Sequence, residues 1–177
     1  DDDDDDEAEP QRELGSVDLE TEGAKLASCG EMSKALSLFD RAIRIKETAS
    51  VHEMRAQVLM EIGETQAWAA VVSASRAVEL SEDWAEAHLT LARAQLHYGE
   101  PELALESAER AVELAPENEE SCAELREVRS LVSRRKELGQ SERRMRVVEA
   151  GLLPEPPNPA ELRCACARPP HAPAPGE

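Results

Sequence analysis

The stretch from Ala85 to Asn118 reads as two helices joined by one turn, and a unit of the same kind recurs twice upstream at a spacing of about 34 residues. Leu89, Leu91, Ala92, Gln95 and Leu96 fall at helical spacing, and Gly99-Glu100-Pro101 then ends one helix and opens the next. The second helix carries Leu103, Ala104, Ala108, Ala111, Val112 and Leu114 on one face and stops at Pro116. Upstream, the ladder Ala108, Ala111, Leu114 has counterparts in Phe39, Ala42, Ile45 and in Ala74, Ala77, Leu80. The turn glycine recurs as Gly30, Gly63 and Gly99, and a small residue follows it as Ala35, Ala70 and Ala104. One place is slack: Gly63 to Ala70 is two residues longer than the equivalent spans. Small residues on a buried stripe require the partner helix to approach closely. A lone hairpin cannot bury its own apolar face, so the units must stack on one another.

An all-α array of this kind fits a chain with 41% hydrophobic but only 2% aromatic residues, since a sheet protein would draw more on aromatic and β-branched side chains. The formal net charge of −18 is unevenly spread. Asp1 to Glu9 holds eight acidic residues and no basic one, whereas Arg126 to Arg146 holds eight basic and three acidic. A body of this sign repels phosphate, so nonspecific nucleic-acid binding is not expected of it. Cys29, Cys122, Cys164 and Cys166 are irregularly spaced and two fall in expected helices, which argues against a disulfide framework and for a reducing compartment. No apolar run is long enough to span a bilayer and no charged, apolar leader is visible; the expected location is cytoplasmic or nuclear. The chain begins with Asp rather than Met, which suggests a fragment and leaves an upstream targeting segment open.

In chain order, residues 1–15 form an acidic tail expected to be disordered, either solubilising or a partner for a basic surface. Residues 16–132 form the helical domain, with units at about 16–48, 49–84 and 85–118 and a capping helix at 119–132. Ser16 is expected to cap a helix over Val17 to Ser28, and the second helix to run from Met32 to Lys46. Ser50 with Glu53, and Asp83 with Glu86, have capping-box spacing for the second and third units, and Asn118 can cap the final helix. The second helix of the middle unit is expected over Thr65 to Leu80. Cys122, Leu125, Val128, Leu131 and Val132 keep an apolar stripe with which the final helix seals the array. A basic helical extension follows over 133–150, with Gly139 as its weak point, and a Pro-rich, extended tail over 151–177.

The length and signature of the repeated unit resemble the tetratricopeptide repeat family. The resembling positions are Gly23, Leu26, Gly30, Ala35, Phe39 and Ala42, then Ala56, Leu59, Gly63, Ala70, Ala74 and Ala77, then Leu91, Ala92, Gly99, Ala104, Ala108, Ala111 and Pro116. The chain departs from the family where first helices often carry an aromatic residue, which Leu19, His52 and His88 replace, and the closing proline stands only in the third unit. The resemblance implies a helical-hairpin solenoid of three repeats plus a C-terminal capping helix, wound as a right-handed superhelix. It also implies a non-catalytic scaffold or adaptor that binds a partner segment in a concave groove.

Chemistry finds little purchase in the residues themselves. There is no phosphate loop, dinucleotide fingerprint or zinc-protease helix, so no catalytic residue, metal ligand or cofactor is expected. His52 and His88 are expected to fill the aromatic place in helix packing, and Cys164, Cys166 and His171 fall one ligand short of a structural zinc site. Pro154 with Pro157, Pro156 with Pro159 and Pro170 with Pro173 give spacings that suit an aromatic groove but also arise by chance in so proline-rich a tail. The basic patch of Arg134, Arg135, Lys136, Arg143, Arg144 and Arg146 reads as a solvated helix extension or, as the alternative function, as a nuclear-import or nucleic-acid adaptor.

In part of the family, Lys, Arg and Asn on successive first helices clamp the C-terminal carboxylate of a chaperone. The corresponding places here hold Glu20, Ala24, Met54, Glu86 and Thr90, so an acidic chaperone peptide is not the expected partner. The expected groove presents Glu20, Glu53, Glu61 and Glu86, relieved by Arg93, with Val17, Met60, Leu89 and Leu96 as apolar footholds. Such a surface suits a basic protein segment or peptide, or else is simply the solvated side of good helix formers.

Overall fold

In the computed structural model, residues 15–149 are described. They form seven α-helices and one short 3-10 turn: α1 (Ser16–Ser28), α2 (Met32–Ile45), α3 (Ala49–Ile62), the turn Glu64–Gln66, α4 (Ala67–Leu80), α5 (Ala85–Tyr98), α6 (Pro101–Leu114) and α7 (Glu119–Glu149). The acidic run before Gly15 and the Pro-rich segment after Glu149, with Cys164, Cys166 and His171, lie outside the described residues.

Helices α1 and α2, α3 and α4, and α5 and α6 pair as hairpins, and each hairpin packs on the next through α2 against α3 and α4 against α5. The turns explain the spacing seen in the sequence. Gly30 and Gly99 take φ of +82° and +94°, a region that costs an L side chain a clash with the following carbonyl. That conformation lets Glu31 N–H reach the Leu26 carbonyl and Glu100 N–H reach the Gln95 carbonyl, both at 2.9 Å, closing the two helices in the same way. Gly63 instead leads into the 3-10 turn, which absorbs the two extra residues and moves the start of α4 from the expected Thr65 to Ala67.

The small-residue ladder is the core. Ala35, Phe39, Ala42, Ala70, Ala74, Ala77, Ala104, Ala108 and Ala111 are all fully buried, whereas Ile45, Leu80 and Leu103, expected on the same faces, are exposed because they stand on the first or last turn of their helices, where less of a neighbouring helix covers them. Gly23 belongs to the same packing: a Cβ there would stand 2.6 Å from Phe39 Cε1, so glycine is what lets the ring lie against α1. At the far end of the array, Leu125, Val128 and Val132 of α7 close over Ala92, Ala104 and Ala108, covering the last alanine face. Among the described residues, 134–149 belong to a separate unit, and α7 continues through Gly139 without interruption.

Three expected caps are replaced. Ser16 lies inside α1, buried, and its hydroxyl donates to Glu20 and the Lys46 carbonyl, while Gly15 takes the cap position. Thr48, not Ser50, caps α3 by accepting the Val51 N–H at 3.3 Å; this leaves Glu53 free to point into the array. Trp84 precedes α5 with no side-chain cap, where Asp83 was expected. Asn118 does cap α7, accepting the N–H groups of Glu120 and Ser121 at 2.9 and 3.1 Å.

Candidate functional site

The first helices of the three hairpins, α1, α3 and α5, form one layer, and the two seams within it differ. The α3–α5 seam is closed. Glu53 is only 7% exposed, accepting a 2.7 Å hydrogen bond from Thr90 of α5 and another from Gln57 of its own helix. Burial pushes its carboxyl above the ordinary glutamate value; the bonds from Thr90 and Gln57 oppose that, and the nearby Glu86 charge reinforces it while Arg93 opposes it. Glu53 is therefore a bridge between two hairpins rather than an exposed groove carboxylate. The physical reason is that α5 comes close enough for Thr90 to supply a donor. Leu89, expected as an apolar foothold, is buried beside it in α5 at 4% exposure.

The α1–α3 seam is open. Two adjoining hollows of about 510 and 490 Å³ run along it and share Ala24, Ser28 and Met54. Val17, Glu20 and Thr21 line one end, and Met32, Gln57 and Glu61 the other. Ala24, Ala27 and Ser28 are the small side chains that α1 contributes to the hollows, and Lys25 lines the same stretch. Glu20 is fixed at its end by the hydroxyls of Ser16 and Thr48, each at 3.2 Å. Val17, 71% exposed, is an apolar residue facing solvent beside it.

The remaining expected groove residues divide. Glu61 and Glu86 are exposed, Met60 is half-buried against Leu59 and Leu91, and Leu96 packs half-buried against the α6–α7 core. Arg93 is committed within the array: its guanidinium donates to Glu124 at 2.9 Å and to Glu120 at 2.8 Å, tying α5 to α7. Of the places where a carboxylate clamp would stand, Thr90 is buried and spends its hydroxyl on Glu53. Ala24 and Met54 line the open seam, and Glu20 and Glu86 are anions.

Sequence reasoning missed the seam itself. No local pattern marks it, since it depends on how α1 and α3 stand against each other. A third hollow of about 420 Å³ lies on the α3–α4 side between Arg55, Trp68 and Val72, where Glu47 takes two bonds from Arg76 and one contact from His52. Those bonds, Arg76 first and His52 second, hold the Glu47 carboxyl down at about 2. His88 bonds the Glu82 carbonyl at 2.9 Å, a packing role. Arg134, Arg135, Lys136 and Arg143 are exposed on α7; the side chains of Arg144 and Arg146 lie outside the described residues. Among the described residues no group of His, Cys, Asp and Glu could hold a metal ion, and no helix is long and apolar enough to cross a membrane.

The helical fold recurs among solved structures. The first tetratricopeptide repeat domain of Spaghetti (RPAP3), bound to the HSP90 peptide SRMEEVD, matches with a TM-score of 0.63 at 21% identity, covering 67% of this chain and 93% of that one. This is the tetratricopeptide repeat fold. The second such domain of human RPAP3, in complex with the HSP70 peptide SGPTIEEVD, matches with a TM-score of 0.60 at 19% identity over 64% of this chain and 94% of that one. In sequence, the chain is similar to tetratricopeptide repeat protein 33 of Xenopus laevis, 36% identical over 132 residues, which is 73% of this chain and 50% of that protein. The chain thus spans about half the length of that relative. No family model matches the chain.

Proposed function

We propose that this chain is a non-catalytic interaction scaffold that holds a basic segment of a partner protein on the face formed by α1, α3 and α5. The observation that carries this reading is the open seam between α1 and α3 with Glu20 at one end and Glu61 at the other, with a further exposed carboxylate, Glu86, on α5. A field of one sign steers and orients a segment of the opposite sign. The peptide-bound repeat domains of similar fold support a peptide as the kind of ligand, but the chemistry of this face differs from what an acidic chaperone tail requires. A terminal carboxylate needs several converging donors. Here Arg93 is already held by Glu120 and Glu124, Thr90 by Glu53, and the other clamp places are apolar or acidic.

The test titrates the peptide SRMEEVD and a lysine-rich amphipathic peptide against the chain, and repeats both with a Glu20→Lys, Glu86→Lys variant. Glu53 is left untouched, since a change there would disturb the buried bridge. The basic peptide should bind and should weaken in the variant. Tight binding of SRMEEVD, or indifference of the basic peptide to the variant, would refute the reading. An adaptor acting through the exposed basic side chains of α7 would instead show affinity for nucleic acid that falls steeply with salt and survives both substitutions.

A further inference from the structure

We infer that the α1–α3 seam is the anchoring subsite of this face, taking one leucine- or methionine-sized side chain of the partner with lysine or arginine residues on both sides of it. The inference rests on the function proposed above and names where and how the segment is held. Of the two seams in the first-helix layer, the α3–α5 seam is occupied from within by the bridge from Glu53 to Thr90. Arg93 is likewise spent on α7. The α1–α3 seam retains room, in two adjoining hollows of about 510 and 490 Å³ that meet at Ala24, Ser28 and Met54. Its walls suit an aliphatic guest: Ala24 and Ala27 give low, apolar relief, and Met54 and Met32 are flexible thioethers that adapt to a guest's shape.

Charge complementarity fixes the guest's neighbours. Glu20 stands at the α1 N-terminal end of the seam, with its carboxylate oriented by Ser16 and Thr48, and Glu61 stands at the other end on the last turn of α3. The cation at the seam, Lys25, already faces Glu22 at 3.6 Å. An apolar residue seated over Ala24 thus places its flanking residues toward two carboxylates. An acidic or uncharged flank would leave both without a counter-ion.

The test uses the full chain and a fluorescein-labelled peptide in which a central leucine is flanked by paired lysines, with a leucine-to-serine twin and a twin whose flanking lysines are glutamates. Filling the seam with Ala24→Leu, a change at an exposed position whose folding is checked by circular dichroism, should weaken the leucine peptide about tenfold or more, the equivalent of leaving one leucine side chain in water. The serine twin should bind weakly to both forms. Glu61→Gln should weaken the leucine peptide severalfold and flatten its dependence on salt. If Ala24→Leu binds the leucine peptide as tightly as the parent while Glu86→Lys abolishes binding, the anchor lies elsewhere on the face. The proposed function would then stand without this subsite. If the parent discriminates neither leucine from serine nor lysine from glutamate in the flanks, both fall.

Discussion

Replacing Gly23 with alanine sets two well-measured effects against each other at one atom. In the middle of α1, alanine is favoured over glycine by about 1 kcal/mol from backbone entropy alone. The added methyl, however, would lie 2.6 Å from Phe39 Cε1 and 2.9 Å from Cδ1, well inside contact distance. The ring cannot swing aside, because Phe39 is fully buried among Leu19, Ala35, Ala42 and Val51. Overpacking of this kind costs about 1–3 kcal/mol, so the net expectation for Gly23→Ala is a loss of about 1 kcal/mol. In a Phe39→Leu background the obstruction is removed and the sign should reverse, giving a gain approaching 1 kcal/mol. The coupling between the two positions is then about 2 kcal/mol, within the range for residues in direct contact. Urea denaturation followed by far-ultraviolet circular dichroism on the parent, the two single variants and the double variant measures it, provided the slope with denaturant stays constant. A Gly23→Ala variant at least as stable as the parent in the Phe39 background would refute the close approach of α1 to α2.

Ala77→Leu and Ala111→Leu, each on the fully buried ladder, should each lose about 1–3 kcal/mol, whereas Glu106→Leu on the exposed side of α6 should stay within about 0.5 kcal/mol; thermal melts check both. Glu53 has a folded-state pKa raised above its unfolded value, chiefly by burial, so its contribution to stability is fully present below the unfolded value near 4.5 and is lost as pH rises through the folded one. The stability difference between the parent and Glu53→Gln should therefore shift in favour of the variant as pH is raised from 4 toward neutrality, roughly one pKa unit being worth about 1.4 kcal/mol; a pH-independent difference would contradict the raised value. Arg93→Met removes the link from α5 to Glu120 and Glu124, the latter only 14% exposed, and should cost about 1–2 kcal/mol with faster hydrogen exchange in the first turns of α7.

Sequence alone determined the all-helical class and the alanine rungs of the buried ladder, because close helix packing demands small residues at a fixed spacing and a left-handed turn demands glycine. Gly30, Gly63, Gly99 and the alanines from Ala35 to Ala111 carry those demands openly. Asn118 was legible as a cap for the same local reason: its side chain meets N–H groups two and three residues on. What the tertiary structure decided was which polar residues the packing would consume. Glu53 and Ser50 have the spacing of a capping box, yet Thr48 takes the cap and Glu53 is drawn to Thr90, 37 residues away, a partner that no local pattern reveals. Arg93 looked like the one cation of an open groove until α7 brought Glu120 and Glu124 to it. The open seam at Ala24 and Met54 likewise depends on how far α1 stands from α3, a distance set by the packing of both helices on α2 and invisible in either helix by itself.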